Sequence, residues 1–225
     1  MELRQYTLQR GQREVLVELF DREFVETQEA VGMHVIGQFR DVERPDRFVW
    51  LRGFPDMELR RTALEAFYGG PVWRSHRDAA NATMIDVDDV LLLRPLLPTS
   101  GFGPMPERPA PGVEAPAAML VATICSLRRP ADAALLERTL LPALETTVSP
   151  LAVFVEEPSD NTFPALPVRT GEHVIVWFQR AALGDDGSHA EQIQASVEIA
   201  RRTVPDLVTT PVQVRLEPTP RSRLR

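Results

Sequence analysis

PLLPTSGFGPMPERPAPGVEAP, residues 95 to 116, places seven prolines in 22 positions, and its reading decides how the rest of the chain is parsed. Proline locks φ and offers no backbone donor, so this stretch is expected to be an extended linker with partial polyproline II character. It cuts the 225 residues nearly in half, and each side is long enough for a core of its own. The expected units are therefore residues 1–94, the linker 95–116, residues 117–217, and a basic tail, 218–225, that frays from the body.

Working outward, the left side starts with a strand, LRQYTL. Gln12 to Val31 then carries Leu16, Phe20, Phe24 and Val31 at helical spacing, and Gly32 ends that helix. HVIGQFRDV and DRFVWLRGF read as two strands around a Glu43-Arg44-Pro45-Asp46 turn. Asp56 caps a second helix that runs to Gly69-Gly70, Pro71 restarts it, and VDDVLLLRPL closes the set as a strand. The right side repeats the order: strand AAMLVATICSL, a helix from Ala131 to Thr147 broken at Pro142, strands LAVFVEEP and GEHVIVWFQRA, a helix from Ser188, and strand TPVQVRLEP. Trp50 and Trp177 fall at equivalent places in the two third strands.

Each half is thus β-α-β-β-α-β, the ferredoxin-like unit. A sheet covered by helices on one face only leaves the other face apolar, and packing the two bare faces together buries both. The expected fold is α+β: two ferredoxin-like repeats forming an intramolecular pseudo-dimeric α+β barrel.

Composition excludes several function classes. Every one of the 25 basic residues is arginine, so the chain has no lysine for a Schiff base, pyridoxal phosphate or a phosphate-loop contact. A net charge of −7 argues against nucleic acid, the three tail arginines being the one basic patch. No apolar run is long enough to span a bilayer and the charged start resembles no secretory signal, so a cytoplasmic protein with no membrane partner is expected. The lone Cys125 agrees, and inside an apolar strand it reads as inert.

Specific motifs add a resemblance. ELRQYTL, GQFR, VWLRGFPD and FYGGPVWRSHRDAANATMID in the first half, and NTFPALPVRTGEHVIVWF (Asn161 to Phe178) in the second, resemble the NIPSNAP family, in the tandem form of its bacterial members. The resemblance implies a dimeric α+β barrel and no single reaction. Similar barrels in the wider superfamily include cofactor-free monooxygenases and cyclases of aromatic polyketides, muconolactone-type isomerases, aldoxime dehydratases and heme peroxidases. Their ligands sit between a sheet and its own helices, and that location is what the resemblance lends here.

The run Val72 to Asn81 holds the chemical candidates. On a helix from Pro71 to Thr83, Val72, His76, Ala79 and Thr83 share one face, with Trp73, Ala80 and Met84 on its shoulder and Arg74, Ser75, Asp78 and Ala82 opposite. His76 then centres an apolar stripe, where a neutral imidazole suits a general base, against the commoner reading of a hydrogen-bonded core histidine. Arg77 and Asn81 flank the stripe and read as a carbonyl or carboxylate clamp at a pocket mouth. Ser75, His76 and Asp78 make no triad, since adjacent helical side chains point about 100° apart. His34, His76, His173 and His189 have no metal-site spacing, so no metal is expected, although spacing does not exclude a heme held by His76 alone.

On the third strand Phe48, Trp50 and Arg52 share a face, and Arg52, if buried, needs an anionic partner. Tyr6 and Tyr68 are the only tyrosines and therefore the only phenolic proton donors. Two readings follow. One is an enzyme without a tightly bound cofactor, acting on an apolar carbonyl or aromatic metabolite, in a setting such as secondary metabolism. In it His76 moves a proton, Arg77 or Arg52 stabilises an enolate or carboxylate, and Tyr6, Trp50, Tyr68, Trp73 and Asn81 contact substrate. The other is a non-catalytic binding or scaffold protein on the same barrel; a homo-oligomer suits either. The second half, with Trp177 and Gln179 where the first has Trp50 and Arg52, is expected to be the structural partner.

Overall fold

Apolar alternation on both sides of the linker becomes two sheets in the computed structural model, which describes residues 1–114, 117–181 and 188–225. The first repeat comprises β1 (Glu2–Leu8), α1 (Arg13–Leu19), a π-helical segment (Phe20–Phe24), α2 (Val25–Glu29), β2 (His34–Asp41), β3 (Arg47–Gly53), α3 (Met57–Tyr68), α4 (Pro71–Ala82), a short β4 (Met84–Asp86) and β5 (Val90–Pro95). The second comprises β6 (Leu120–Leu127), α5 (Ala133–Thr147), β7 (Ala152–Glu156), β8 (His173–Arg180), α6 (Ser188–Thr203) and β9 (Val212–Pro218).

Within each repeat the strand order is the ferredoxin-like one: β5-β1-β3-β2 in the first and β9-β6-β8-β7 in the second. Two seams join them. Phe39 to Asp41 of β2 pair with Leu216 to Pro218 of β9, and Leu93 to Pro95 of β5 pair with Phe154 to Glu156 of β7. Each seam sets the second strand of one repeat against the last strand of the other, so the eight strands close into an antiparallel barrel with β4 pairing outside it. Closure leaves no free sheet edge in the ring.

Leu3, Phe39, Val49, Leu120, Phe154 and Phe178 are among the buried side chains that fill the barrel interior. The opposite faces of the two sheets carry separate apolar layers under α1 to α4 and under α5 and α6. Any ligand space near the first repeat must then lie outside the barrel, between sheet and helices.

Local signals behave as the residues dictate. Asp56 caps α3 by accepting from Leu59 N at 2.7 Å, and Pro71 opens α4. Gly32 ends the first helical stretch at φ +92°. Pro142 does not break its helix: α5 runs continuously from Ala133 to Thr147, with Leu136, Leu140 and Leu144 inward and Pro142 on the exposed face.

The linker and tail depart from expectation. Of the linker, residues 115 and 116 lie outside the described residues; the rest is irregular but docked, with Phe102 5.2 Å from the rings of both Phe154 and Phe178. The tail does not fray. Thr219 N donates to Gln38 O and Leu224 N to Ile36 O, while Arg108 and Arg221 pair with Glu29 and Glu26 of α2. Leu224 is buried in the barrel core. Its leucine side chain plugs the barrel end, and this burial is what overrides the local tendency of a polar terminus to fray. No helix among the described residues is long and apolar enough to cross a membrane.

Leu224→Ala is expected to lower the urea unfolding free energy by about 2–4 kcal/mol, the range for a buried leucine truncation. A change within about 0.5 kcal/mol, as at an exposed site, would return the tail to a frayed state.

Candidate functional site

β1 and β3 are the central strands of the first sheet, and alternation sends Glu2, Arg4 and Tyr6 to the same side as Phe48, Trp50 and Arg52. Their register sets Glu2 opposite Arg52, Arg4 opposite Trp50, and Tyr6 opposite Phe48. The helices supply the facing wall. The π-helical segment widens one turn and brings Phe20 within 4.8 Å of Trp50 and Phe24 within 5.6 Å of Trp73, ring to ring. Such single π turns concentrate at functional sites.

Between these walls lies a cleft of about 80 Å³. Tyr6, Trp50, Tyr68, Trp73 and Asn81, five residues expected to contact substrate, all line it, together with Phe20, Phe24, Gln28 and Phe67. Arg52 stands directly behind, its guanidinium 4.9 Å from the Trp50 ring centroid and 6.0 Å from that of Tyr68. The second repeat completes the site. Its loop after β7 crosses over, stacking Phe163 on Tyr68 at 5.9 Å and placing Leu166 in the cleft wall.

His76 does not centre the inward face of α4. Trp73 and Ala80 lead that face, Ala79 is exposed, and His76 sits at the margin, a third exposed, with Nε2 3.5 Å from Glu23 Oε2. The reason is packing. Trp73 meets Phe24, Phe67 and Tyr68, and burying that indole outweighs centring an imidazole, so the helix turns about its axis. Arg77 is more exposed still, 55%, beside Asp78. Neither lines the cleft. His34 is exposed at the start of β2, His173 pairs with Glu156, and the side chain of His189 lies outside the described residues.

A buried ionic cluster backs the cleft. Glu2 Oε2 accepts from Arg4 Nη1 at 2.8 Å and Arg52 Nε at 2.6 Å, and Oε1 accepts from Arg60 Nε at 2.7 Å. The four side chains are 0–1% exposed. Burial pushes the Glu2 carboxyl up, but Arg52, Arg4 and Arg60 together outweigh it and hold the group well below the usual carboxylate range. Arg52 thus has the anionic partner its burial demands. Glu2, Arg4 and Arg60 escaped the sequence reading, although Glu2-Arg4-Tyr6 at spacing two, and Arg60 with Ala63, Leu64 and Phe67 on one helix face, carry the signal.

Tyr6 links cluster and cleft. Its hydroxyl accepts from Arg4 Nε at 2.8 Å, which leaves its own proton free to donate, and burial raises its pKa above the ordinary value, so the phenol is neutral at pH 7. Cys125 is inert as expected, burial pushing its thiol up to about 12. Heme does not fit the cleft: among the described residues no histidine lines it, and about 80 Å³ is far below a porphyrin. Among the described residues no group of three or more His, Cys, Asp or Glu side chains gathers at metal-binding distance.

Residues 1–98 match the NIPSNAP family. That match covers the repeat that carries the cleft and ends just past β5. No curated protein matches the sequence. Among solved structures, the chain resembles a candidate monooxygenase from Lactobacillus acidophilus NCFM at 10% identity and TM-score 0.56, covering 97% of this chain and 95% of that one. A candidate monooxygenase from Fusobacterium nucleatum is similar at 8% identity and TM-score 0.56, with 97% and 91% covered. An anthrone oxidase-like protein is similar at 12% identity and TM-score 0.53, with 97% and 90% covered. The likeness is one of fold: the dimeric α+β barrel runs through both repeats.

The π-helical segment also holds Asp21, whose carboxyl is pushed up to about 6, burial outweighing Thr219 and Arg221. Its unfolded carboxyl ionises first, so the folded state is penalised as pH rises from about 4 to about 6 and the penalty is constant above that. Asp21→Asn keeps the acceptor for Gln38 and is expected to stabilise by about 1–3 kcal/mol at pH 8, the gain vanishing below about pH 4. Urea titrations of both proteins across pH 3.5 to 8 read it directly; a gain independent of pH would refute the assignment.

Proposed function

We propose that the first repeat, a NIPSNAP-type α+β domain, binds a small aromatic or apolar carbonyl compound in its sheet-helix cleft and acts on it as a cofactor-independent enzyme of the oxygenase, cyclase or isomerase kind. The observation that carries this reading is the convergence of six aromatic side chains on one neutral hydroxyl, Tyr6, whose own proton is free because Arg4 already donates to its oxygen. The fold likeness to a candidate monooxygenase and an anthrone oxidase-like protein supports the same class.

The chemistry follows from the lining. Among the described residues no carboxylate, imidazole or amine faces the cleft, so the substrate is one whose C–H is acidic enough to give its proton to solvent water at the cleft mouth. Donation from Tyr6 to its carbonyl oxygen stabilises the enol or enolate, and the positive charge of Arg4 behind the phenol favours negative charge developing on that oxygen. The enol then reacts with dioxygen, closes a ring, or is reprotonated elsewhere, according to what the substrate carries. Trp50 and Trp73 wall out water, and Asn81 stands at the mouth. The proton-moving role passes from His76 to Tyr6, and of the two arginines expected to stabilise the oxygen, Arg77 and Arg52, the role stays with Arg52, joined by Arg4.

With a substrate found by screening single-ring enolisable ketones and phenols in aerated buffer, Tyr6→Phe is expected to lower kcat by about 10²-fold or more with circular dichroism unchanged. Trp73→Ala should chiefly raise KM, and His76→Gln should leave both within about threefold. Full activity in Tyr6→Phe, or its loss in His76→Gln, would overturn the assignment. The non-catalytic alternative survives if ligands co-purify in the cleft and none is turned over.

A further inference from the structure

The Glu2 cluster is electrically unbalanced. One carboxylate faces three guanidiniums, so the buried group carries a net charge of two positive, and Glu2 has only two oxygens to share among them. Other acceptors are neutral: Tyr6 for Arg4, Gln28 for Arg52, Asn161 and Thr162 for Arg60. Arg4 Nη2, Arg52 Nη2, Arg60 Nη2 and the neighbouring Trp50 Nε1 are buried and have no hydrogen-bond partner among the described residues. Cation-π contact with Tyr6, Trp50 and Phe54 offsets part of the charge, but leaving buried donors unmade is costly.

The fold does not require this arrangement, and the second repeat is the internal control. By register against the paired tryptophans, Val121 stands where the first repeat has Glu2, Thr123 where it has Arg4, Cys125 where it has Tyr6, and Gln179 where it has Arg52. There the Trp177 N–H finds Gln179 Oε1 at 3.3 Å, and Ser196 Oγ donates to the same oxygen. The same sheet, helices and buried tryptophan are therefore built without a single charge at these positions. Among the described residues, charge stands at these positions in the first repeat only, behind the tryptophan that lines an aromatic cleft.

We infer that Arg4, Arg52 and Trp50 Nε1 form the anion-recognising end of the cleft, and that its ligand is a small carboxylic acid with a single ring or short apolar body. This inference deepens the function proposed above and rests on it. A planar guanidinium matches a carboxylate edge with two parallel N–H donors. Gln28 marks the point of entry. It lines the cleft and gives its amide oxygen to Arg52 Nη1 at 3.2 Å, a neutral acceptor that an anion would replace with stronger bonds. A second cavity, of about 360 Å³, reaches Arg60 and is lined by Arg94 and Met1 as well as Asp56 and Glu157, but Trp50 does not line it and it has no aromatic wall like that of the cleft. The small volume of the cleft sets the size class of the ligand.

The test is calorimetric titration of the intact protein at pH 7.5 with benzoate, its neutral isostere benzamide, and inorganic phosphate. Benzoate is expected to bind at least about 10-fold more tightly than benzamide, as charge-assisted bonds to guanidinium require, and Arg52→Gln should erase that margin. Trp50→Phe keeps a ring in place and removes one N–H; it should weaken benzoate several-fold and by more than it weakens benzamide, which keeps the test open if Arg52→Gln does not fold. Equal affinity for benzoate and benzamide overturns the inference and leaves the aromatic cleft standing. Phosphate binding as tightly as benzoate overturns it in favour of a free-anion site. Silence from both aromatic compounds up to about 10 mM overturns it together with the cleft reading.

Discussion

One buried carboxylate ties the site together. Glu2 sits in β1, and its three partners reach it from β1 itself, from β3 across the ladder, and from α3 in the helix layer. Arg52 passes the connection to α2 through Gln28, and Arg60 passes it to Asn161 and Thr162 in the second repeat. Sheet, helices and crossing loop are thereby held in one geometry by charge-assisted bonds that no solvent screens. Replacing such a cluster with hydrocarbon is commonly neutral or better for stability, so its presence calls for a reason beyond holding the fold.

The two repeats show what the fold itself demands and what it leaves free. Both need the 4-1-3-2 strand order, an apolar inner face and a large indole in the third strand, because closure of the barrel and cover by helices depend on these. Neither needs charge beneath its helices. In the second repeat the corresponding layer is Cys125, Ile175, Trp177 and Leu140, a plain core, and its loop after β7 goes to complete the neighbouring cleft.

Much of this was legible in the sequence for a definite reason: strand periodicity is two, so membership of a face follows from odd or even position alone. Trp50 and Arg52 on one face and the equivalence of Trp50 with Trp177 follow from counting, while a pocket between first-half helices and sheet is what the family resemblance implies. Asp56, Gly32 and Pro71 were equally readable, since caps act within four residues. The α4 face was not. Period 3.6 leaves the phase of a short amphipathic helix open by tens of degrees, and only contact with Phe24, Phe67 and Tyr68 settles it, which leaves His76 and Arg77 outside the cleft lining.

The sequence by itself determined two ferredoxin-like repeats, their closure into an α+β barrel, and five of the residues that wall the cleft. These rest on local pattern and on the burial of apolar faces, which a linear code records. Only the tertiary structure decided that Glu2 gathers Arg4, Arg52 and Arg60, that a loop from the far repeat roofs the cleft, and that the tail is folded in. Apart from Glu2 with Arg4, those contacts join positions 50 to nearly 200 residues apart, and nothing in the spacing of a chain records which distant charges will meet when solvent is excluded.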